Sequence, residues 1–136
     1  MAHPEFVPYA ALILRLSLAA LFFAHAWLKI AVFTPAGSVK YFQALGLPGF
    51  FAYITMAGEL AVGAGLFFGV LTRLAALAGI PIIAGTIVMV HGKKGWLFAN
   101  EGGGWEFPAF WIVALAVQAL LGGGAWALGP MFGVDW

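Results

Sequence analysis

No cysteine occurs in the chain, which excludes disulfide staples, thiol chemistry and cysteine-ligated metals or clusters. Any redox chemistry must therefore run through a bound cofactor or substrate. Charge is almost as scarce: 8% of the 136 residues are charged, against about 25% in soluble domains. That is too little polar surface to cover a water-facing globule. Six basic residues oppose five acidic ones and form no cluster, so no nucleic-acid footprint is present. The opening "MAHPEFVPYA" carries Glu5 but no Lys or Arg. A secretory signal needs a basic start, so "AHA" (Ala24–Ala26) reads as a cleavage-site mimic inside an uncleaved first membrane helix.

What is abundant is apolar: 64% hydrophobic residues, with 13 Phe and 6 Trp, and a mean hydropathy of +1.03. The expected solvent is lipid. Four segments approach the roughly 20 apolar residues a spanning helix needs: approximately 8–32, 49–71, 73–91 and 106–124. They predict one integral-membrane domain over 1–136, all-α, a four-transmembrane-helix bundle of antiparallel up-down topology. "TPAG" (Thr34–Gly37) is expected to end the first helix and "GLPGF" (Gly46–Phe50) to open the second. "VLTR" (Val70–Arg73) is a tight hairpin turn, and "GKKGWLFANEGGGW" (Gly92–Trp105) is the longest polar connection. Lys40, Lys93 and Lys94 fall in the first and third connections and only Arg73 in the second. The positive-inside rule then places the N- and C-termini outside. Ala57, Ala61, Gly65 and Gly69 recur every four residues, a small-residue stripe that predicts close helix approach. Pro81 predicts a kink, and Trp126 and Trp136 suit the interface.

The informative residues are the few polar ones inside these segments. Within "LFFAHAWLKI" (Leu21–Ile30) a histidine and a lysine stand four apart. With Arg15, Leu18 and Phe22, His25 and Lys29 form one stripe at 3.6 residues per turn. Because the rest of that helix is greasy, the stripe is expected to face the bundle interior. Burying a charge at mid-membrane costs about 2.5–3.5 kcal/mol, so it needs a partner. Glu59, in "ITMAGELAVG" (Ile54–Gly63), is within reach of His25 in depth, and of Arg15 from the other side. His91 ends the third segment and Glu106 begins the fourth, near the membrane face of Lys29. These residues predict a polar pocket, with Glu59, His25 and Glu106 as candidate proton-handling residues and Arg15, Lys29 and His91 as candidate binding residues. Each has a plainer alternative. Lys29 can snorkel, Arg15 and Glu59 can form a structural pair, and His91 and Glu106 suit helix ends by dipole alone. Gln118 suits an interhelical hydrogen bond. A faint repeat is also visible: "HAWLK" and "HGKK" end the odd segments, while "GEL" and "WEF" lie in the even ones.

At these residues the chain resembles the DoxX family of small four-helix membrane proteins. The resemblance rests on "LRLSLAALFFAHAWLKI" (Leu14–Ile30), "LGLP" (Leu45–Pro48), "GELAVGAGLFFGVLTRLAAL" (Gly58–Leu77), His91 and "GGGWEFP" (Gly102–Pro108), and covers nearly the whole chain. Its stretch through "LTRLAAL" is the most specific part. Family members usually finish in a Gly-Pro-Gly segment and a Ser-Leu-Asp ending, where this chain has "LGGGAWALGP". Some relatives look like membrane subunits of thiosulfate:quinone oxidoreductase, and others accompany oxidative-stress or peptide-modifying enzymes. The family's polar positions fall on Arg15, His25, Lys29, Glu59, Arg73, His91 and Glu106, and no shared mechanism comes with them.

Three functional readings follow. The first is a quinone- or lipophilic-substrate-binding membrane subunit of an oxidoreductase system in a bacterial or archaeal cytoplasmic membrane. There His25 and Lys29 would donate to a quinone head, and Glu59 and Glu106 would relay protons. The second is a small transporter, which needs a homo-oligomer, or a membrane anchor docking a soluble redox partner protein at Phe98–Trp105. The third, a metal or haem site at His25, His91, Glu59 and Glu106, is disfavoured because no Glu-x-x-His pair of the bundle di-iron type is present. No metal or haem is therefore expected. Lipid is a contact in every case.

Overall fold

A computed structural model describes residues 3–136. Five α-helices follow in order: α1 (Val7–Trp27), α2 (Thr34–Ala44), α3 (Phe50–Phe68), α4 (Thr72–Thr86) and α5 (Glu106–Leu121); no strand occurs among the described residues. Three helical stretches are long and apolar enough to cross a membrane: Pro4–Val32, Phe50–Phe68 and Thr72–Lys94. The 16 residues of α5 rise about 24 Å, short of a hydrocarbon core of about 30 Å.

The first and third of these stretches end alike. Leu28–Val32 and Ile87–His91 wind as π-helical turns, closed by i→i+5 bonds from Phe33 N–H to the Leu28 carbonyl and from Gly92 N–H to the Ile87 carbonyl. A π turn inserts an extra residue into the helix, re-aims the side chains around it and is frequent at functional sites. Lys29 sits in one and His91 in the other.

The first connection is not the loop expected after "TPAG". Thr34 takes a left-handed φ of 64°, which turns the chain. Pro35 then occupies the first turn of α2, where its missing N–H costs nothing. The motif stops one helix and starts another. The second and fourth segments are shorter than predicted, while the third, Thr72–Lys94, runs slightly beyond its predicted bounds. Gly69 (φ 66°) and Leu71 (φ 48°) form the α3–α4 turn, and Gly122 (φ 79°) ends α5 before the rest of "LGGG". Pro81 lies inside α4, which continues through it to Thr86.

Helix α1 packs on α3 and α5, and α4 packs on the same two. The core holds Leu18, Phe22, Val62, Leu66, Ile83, Trp111 and Leu115. Two residues of the small-residue stripe, Gly65 and Gly69, approach Ala75 and Ala127 closely, and the seat of α3 on α1 is Gly63, outside the stripe. A Cβ on Gly63 would lie 2.8 Å from the Phe23 ring, so only glycine lets α3 seat there. Ala57 and Ala61 are exposed; Ala61 and Gly65 line a shallow apolar groove with Ala75 and Ala78.

The segment after α5 folds across the end of the bundle where α1 begins and α3 turns into α4. Ala125 N–H donates to the Pro8 carbonyl, Leu128 to Phe68 and Gly129 to Gly69. The opposite end carries α2 and the 92–105 connection. Trp126 and Trp136 are both exposed.

Candidate functional site

The polar stripe of α1 faces inward, and the structure splits it between two ends of the bundle. Arg15, 1% exposed, belongs to the tail end. Its Nε donates to the Gly123 carbonyl at 3.0 Å, Nη1 to the carbonyls of Leu66 (2.9 Å) and Phe67, and Nη2 to Ala125 at 3.2 Å. A cation on the last carbonyls of a helix is favoured by the helix dipole, and here it also fastens the tail. Four of its five N–H groups are thus taken by backbone. Arg15 does not pair with Glu59; nearly saturated, it is a structural clasp.

The other end carries the remaining polar residues. Lys29 Nζ lies 2.8 Å from Glu59 Oε1, and at 3.5 Å from the His25 carbonyl one turn back. The Glu59 side chain is 2% exposed and that of Lys29 17%. The lysine therefore turns inward to a carboxylate on α3 rather than snorkelling. Its own carbonyl, set in the π turn, accepts from Ser38 Oγ of α2 at 2.9 Å, so the helix missed in the sequence braces this residue. The second oxygen of Glu59, Oε2, is buried without a partner.

His25 is half-buried and lies within electrostatic reach of both Lys29 and His91. Its ring meets Trp111 edge-on, centroids 4.9 Å apart, and Trp111 meets Phe22 in the same way at 4.9 Å. Trp111 is 3% exposed and its Nε1 is buried without an acceptor. It is not among the candidate residues that the sequence pattern singles out. The available signal was its place: membrane tryptophans favour the interface, whereas this one stands a turn and a half inside α5.

The last two candidates organise the neighbouring loop. His91 Nδ1 lies 2.8 Å from the Gly103 carbonyl, and Glu106 Oε1 accepts from Phe98 N–H at 2.8 Å. Trp96 and Trp105 stack edge to face within the same loop. Glu106 lines an outward groove with Trp96, Phe98, Phe107 and Phe110, away from the Lys29–Glu59 pair. Among the described residues, no three His, Asp or Glu side chains are grouped to hold a metal ion. Neither of the two principal grooves is lined by His25, Lys29 or Glu59. At this end Lys29 of α1 pairs with Glu59 of α3 and His25 of α1 packs on Trp111 of α5, and Glu59 Oε2 and Trp111 Nε1 are each buried without a hydrogen-bond partner.

Residues 10–92 match the DoxX family, a stretch that holds His25, Lys29, Glu59 and His91 and stops short of Glu106 and Trp111. The chain is 31% identical over 119 residues, 88% of its length and 84% of the relative's, to the Bacillus subtilis (strain 168) protein named "Putative oxidoreductase CatD". It is 35% identical over 74 residues, 53% of its length and 55% of the relative's, to "Inner membrane protein YqjF" of Escherichia coli (strain K12). No solved structure matches the chain at a significant level. With more than half its length matched and its apolar helices in place, the chain is an integral membrane protein of the DoxX family.

Proposed function

We propose that the protein is a membrane subunit of an oxidoreductase system that binds a quinone or a similar lipophilic ring beside Glu59. The observation that carries this reading is the open oxygen of Glu59: Oε2 is buried and unpartnered while Lys29 holds Oε1. An intramembrane ionisable residue is functional by default, and a buried acceptor without a donor costs about 1–3 kcal/mol. That cost is offset when a hydroxyl of the ligand, such as the reduced form of a quinone carries, donates to Oε2. His25 and Trp111 offer an aromatic wall and further polar edges, so the residues present fit a ring with polar substituents. A bound quinone would supply reversible two-electron, two-proton chemistry. Within the chain, Lys29 orients the Glu59 carboxylate, and His25, one turn from Lys29, is placed to exchange a proton with a ring oxygen. The named relative of oxidoreductase type agrees with this reading. Arg15 and Glu106, both committed to backbone groups, take no part in it.

The same reading counts α5 as a fourth crossing, giving an up-down bundle in a bacterial or archaeal cytoplasmic membrane with both termini outside. The tail and the start of α1 meet at one end, as an even number of crossings requires. Lys29, Lys40, Lys93 and Lys94 gather at the other.

The test is the lipid extract of detergent-purified protein. The wild type is expected to carry quinone at close to one molecule per chain and Glu59→Gln to carry little. Extracts without any lipophilic ring compound, or equal content in the variant, would overturn the proposal.

A further inference from the structure

The groove on the outer side of α5 joins two kinds of surface that meet nowhere else on the bundle's outer wall. It is open, about 570 Å³ in volume, and walled by Trp96, Phe98, Phe107 and Phe110. All four rings are exposed. Among the described residues, Glu106 is the one ionisable group that lines it. Glu106 Oε1 accepts from Phe98 N–H at 2.8 Å, which ties the carboxylate to the rim, and Oε2 has no donor among the described residues. The groove between α3 and α4, by contrast, is lined by apolar residues alone. It can hold a hydrocarbon chain but cannot tell one polar head from another.

Aromatic faces attract a cation through the ring quadrupole, and ammonium groups are recognised by cages of such rings. A carboxylate among the rings adds an opposite charge and accepts the N–H of a primary ammonium. An anionic head would be repelled there. The other half of the ligand is set by what continues from the groove. Phe110 and Val113 line it, and Val117 and Leu120 extend their row at steps of four and three residues, the spacing of one helix face. All four are exposed, so a hydrocarbon track runs down α5 from the groove. From charge, rings and track together we infer that the groove binds an ethanolamine phospholipid. Its ammonium sits against Glu106 and the rings, and one acyl chain lies along the Phe110–Leu120 face. Lys93 and Lys94 open the same loop, where the neighbouring phosphate meets opposite charge. This site is separate from the Lys29–Glu59 pair and independent of ring binding there.

Native mass spectrometry of the full chain in detergent micelles, titrated with dioleoyl phosphatidylethanolamine and dioleoyl phosphatidylglycerol, tests this. A charge-assisted hydrogen bond with ring contacts predicts the ethanolamine lipid to bind tighter by about fivefold or more. Glu106→Gln keeps an acceptor for Phe98 N–H and removes the charge, so the ratio is expected to fall to within about twofold. Glu101→Gln, an acid of the same loop outside the groove, is expected to leave the ratio unchanged. Equal binding of the two lipids by the wild type would overturn the inference, as would a preference for the glycerol lipid, the result that the lysines alone would give. A ratio that Glu106→Gln leaves intact would also overturn it. So would tight binding of tetraphenylphosphonium with no selection between the lipids, the mark of a transported cation. The wild-type ratio decides the matter even if a variant fails to fold.

Discussion

At the scale of single residues, the Lys29–Glu59 pair is the centre of the account. Lys29 Nζ meets a carboxylate that is 2% exposed, and removing one partner of such a pair leaves a charge stranded in low dielectric. Breaking a buried pair costs about 3–5 kcal/mol. Lys29→Met is therefore expected to destabilise the detergent-solubilised protein by roughly that amount, and Lys29→Met with Glu59→Leu to recover most of it. Thermal unfolding followed by circular dichroism measures both. Recovery by the double variant is the outcome a direct pair predicts, whereas additive losses would contradict one. The sequence put Glu59 opposite the polar stripe of α1 but with His25 or Arg15 as its partner; the residue that pairs with it is Lys29, one turn beyond His25 on the same face. The fate of Arg15 was not legible. Its partners are backbone carbonyls of Gly123 and Ala125, more than a hundred residues away, and carbonyls have no sequence signature.

Among the helices, what positions the site is where regular winding stops. The apolar lengths placed the three long stretches to within a few residues, because burial of a hydrophobic run in lipid leaves little choice. The π turns at Leu28–Val32 and Ile87–His91 were not foreseeable, since no residue type marks an i→i+5 bond. The faint repeat touches them only at its edges: "HAWLK" enters the first π turn at Leu28, and "HGKK" leaves the second at His91. Helix α2 was hidden behind "TPAG", a motif equally good at ending a helix and, through Pro35, at starting one. The stripe of small residues pointed to close packing, and Gly65 and Gly69 do meet Ala75 and Ala127 closely, but the glycine that seats α3 on α1, Gly63, lies outside it. Gly63 has no room for a methyl group against Phe23, whereas Gly85 faces open space. Gly63→Ala is expected to lower stability by about 1–3 kcal/mol through overpacking, and Gly85→Ala to raise it by up to about 1 kcal/mol through helix propensity. Equal effects at the two positions, measured by denaturant titration in micelles, would refute the α1–α3 contact.

Over the whole molecule the two ends of the bundle have different work. The tail, clasped by Arg15, closes one end with backbone bonds to Pro8, Phe68 and Gly69. The other end gathers the four lysines, α2, the Trp96–Trp105 loop and the unpartnered oxygen of Glu59. Charge asymmetry of this kind sets orientation. A periplasmic reporter fused after Trp136 is expected to be active and one inserted at Asn100 inactive; the reverse pattern would contradict the orientation.

On the proposed reading, the ring binds at the end that carries Glu59. Photolabelling in membranes with an azidoquinone, followed by peptide mass spectrometry, tests this most directly. Adducts that unlabelled quinone competes away are expected on the segments around Phe22–Lys29 and Phe107–Trp111. Labelling that does not saturate, or that falls only on lipid-facing residues such as Val88, Val113 and Leu120, would contradict a ring site beside Glu59.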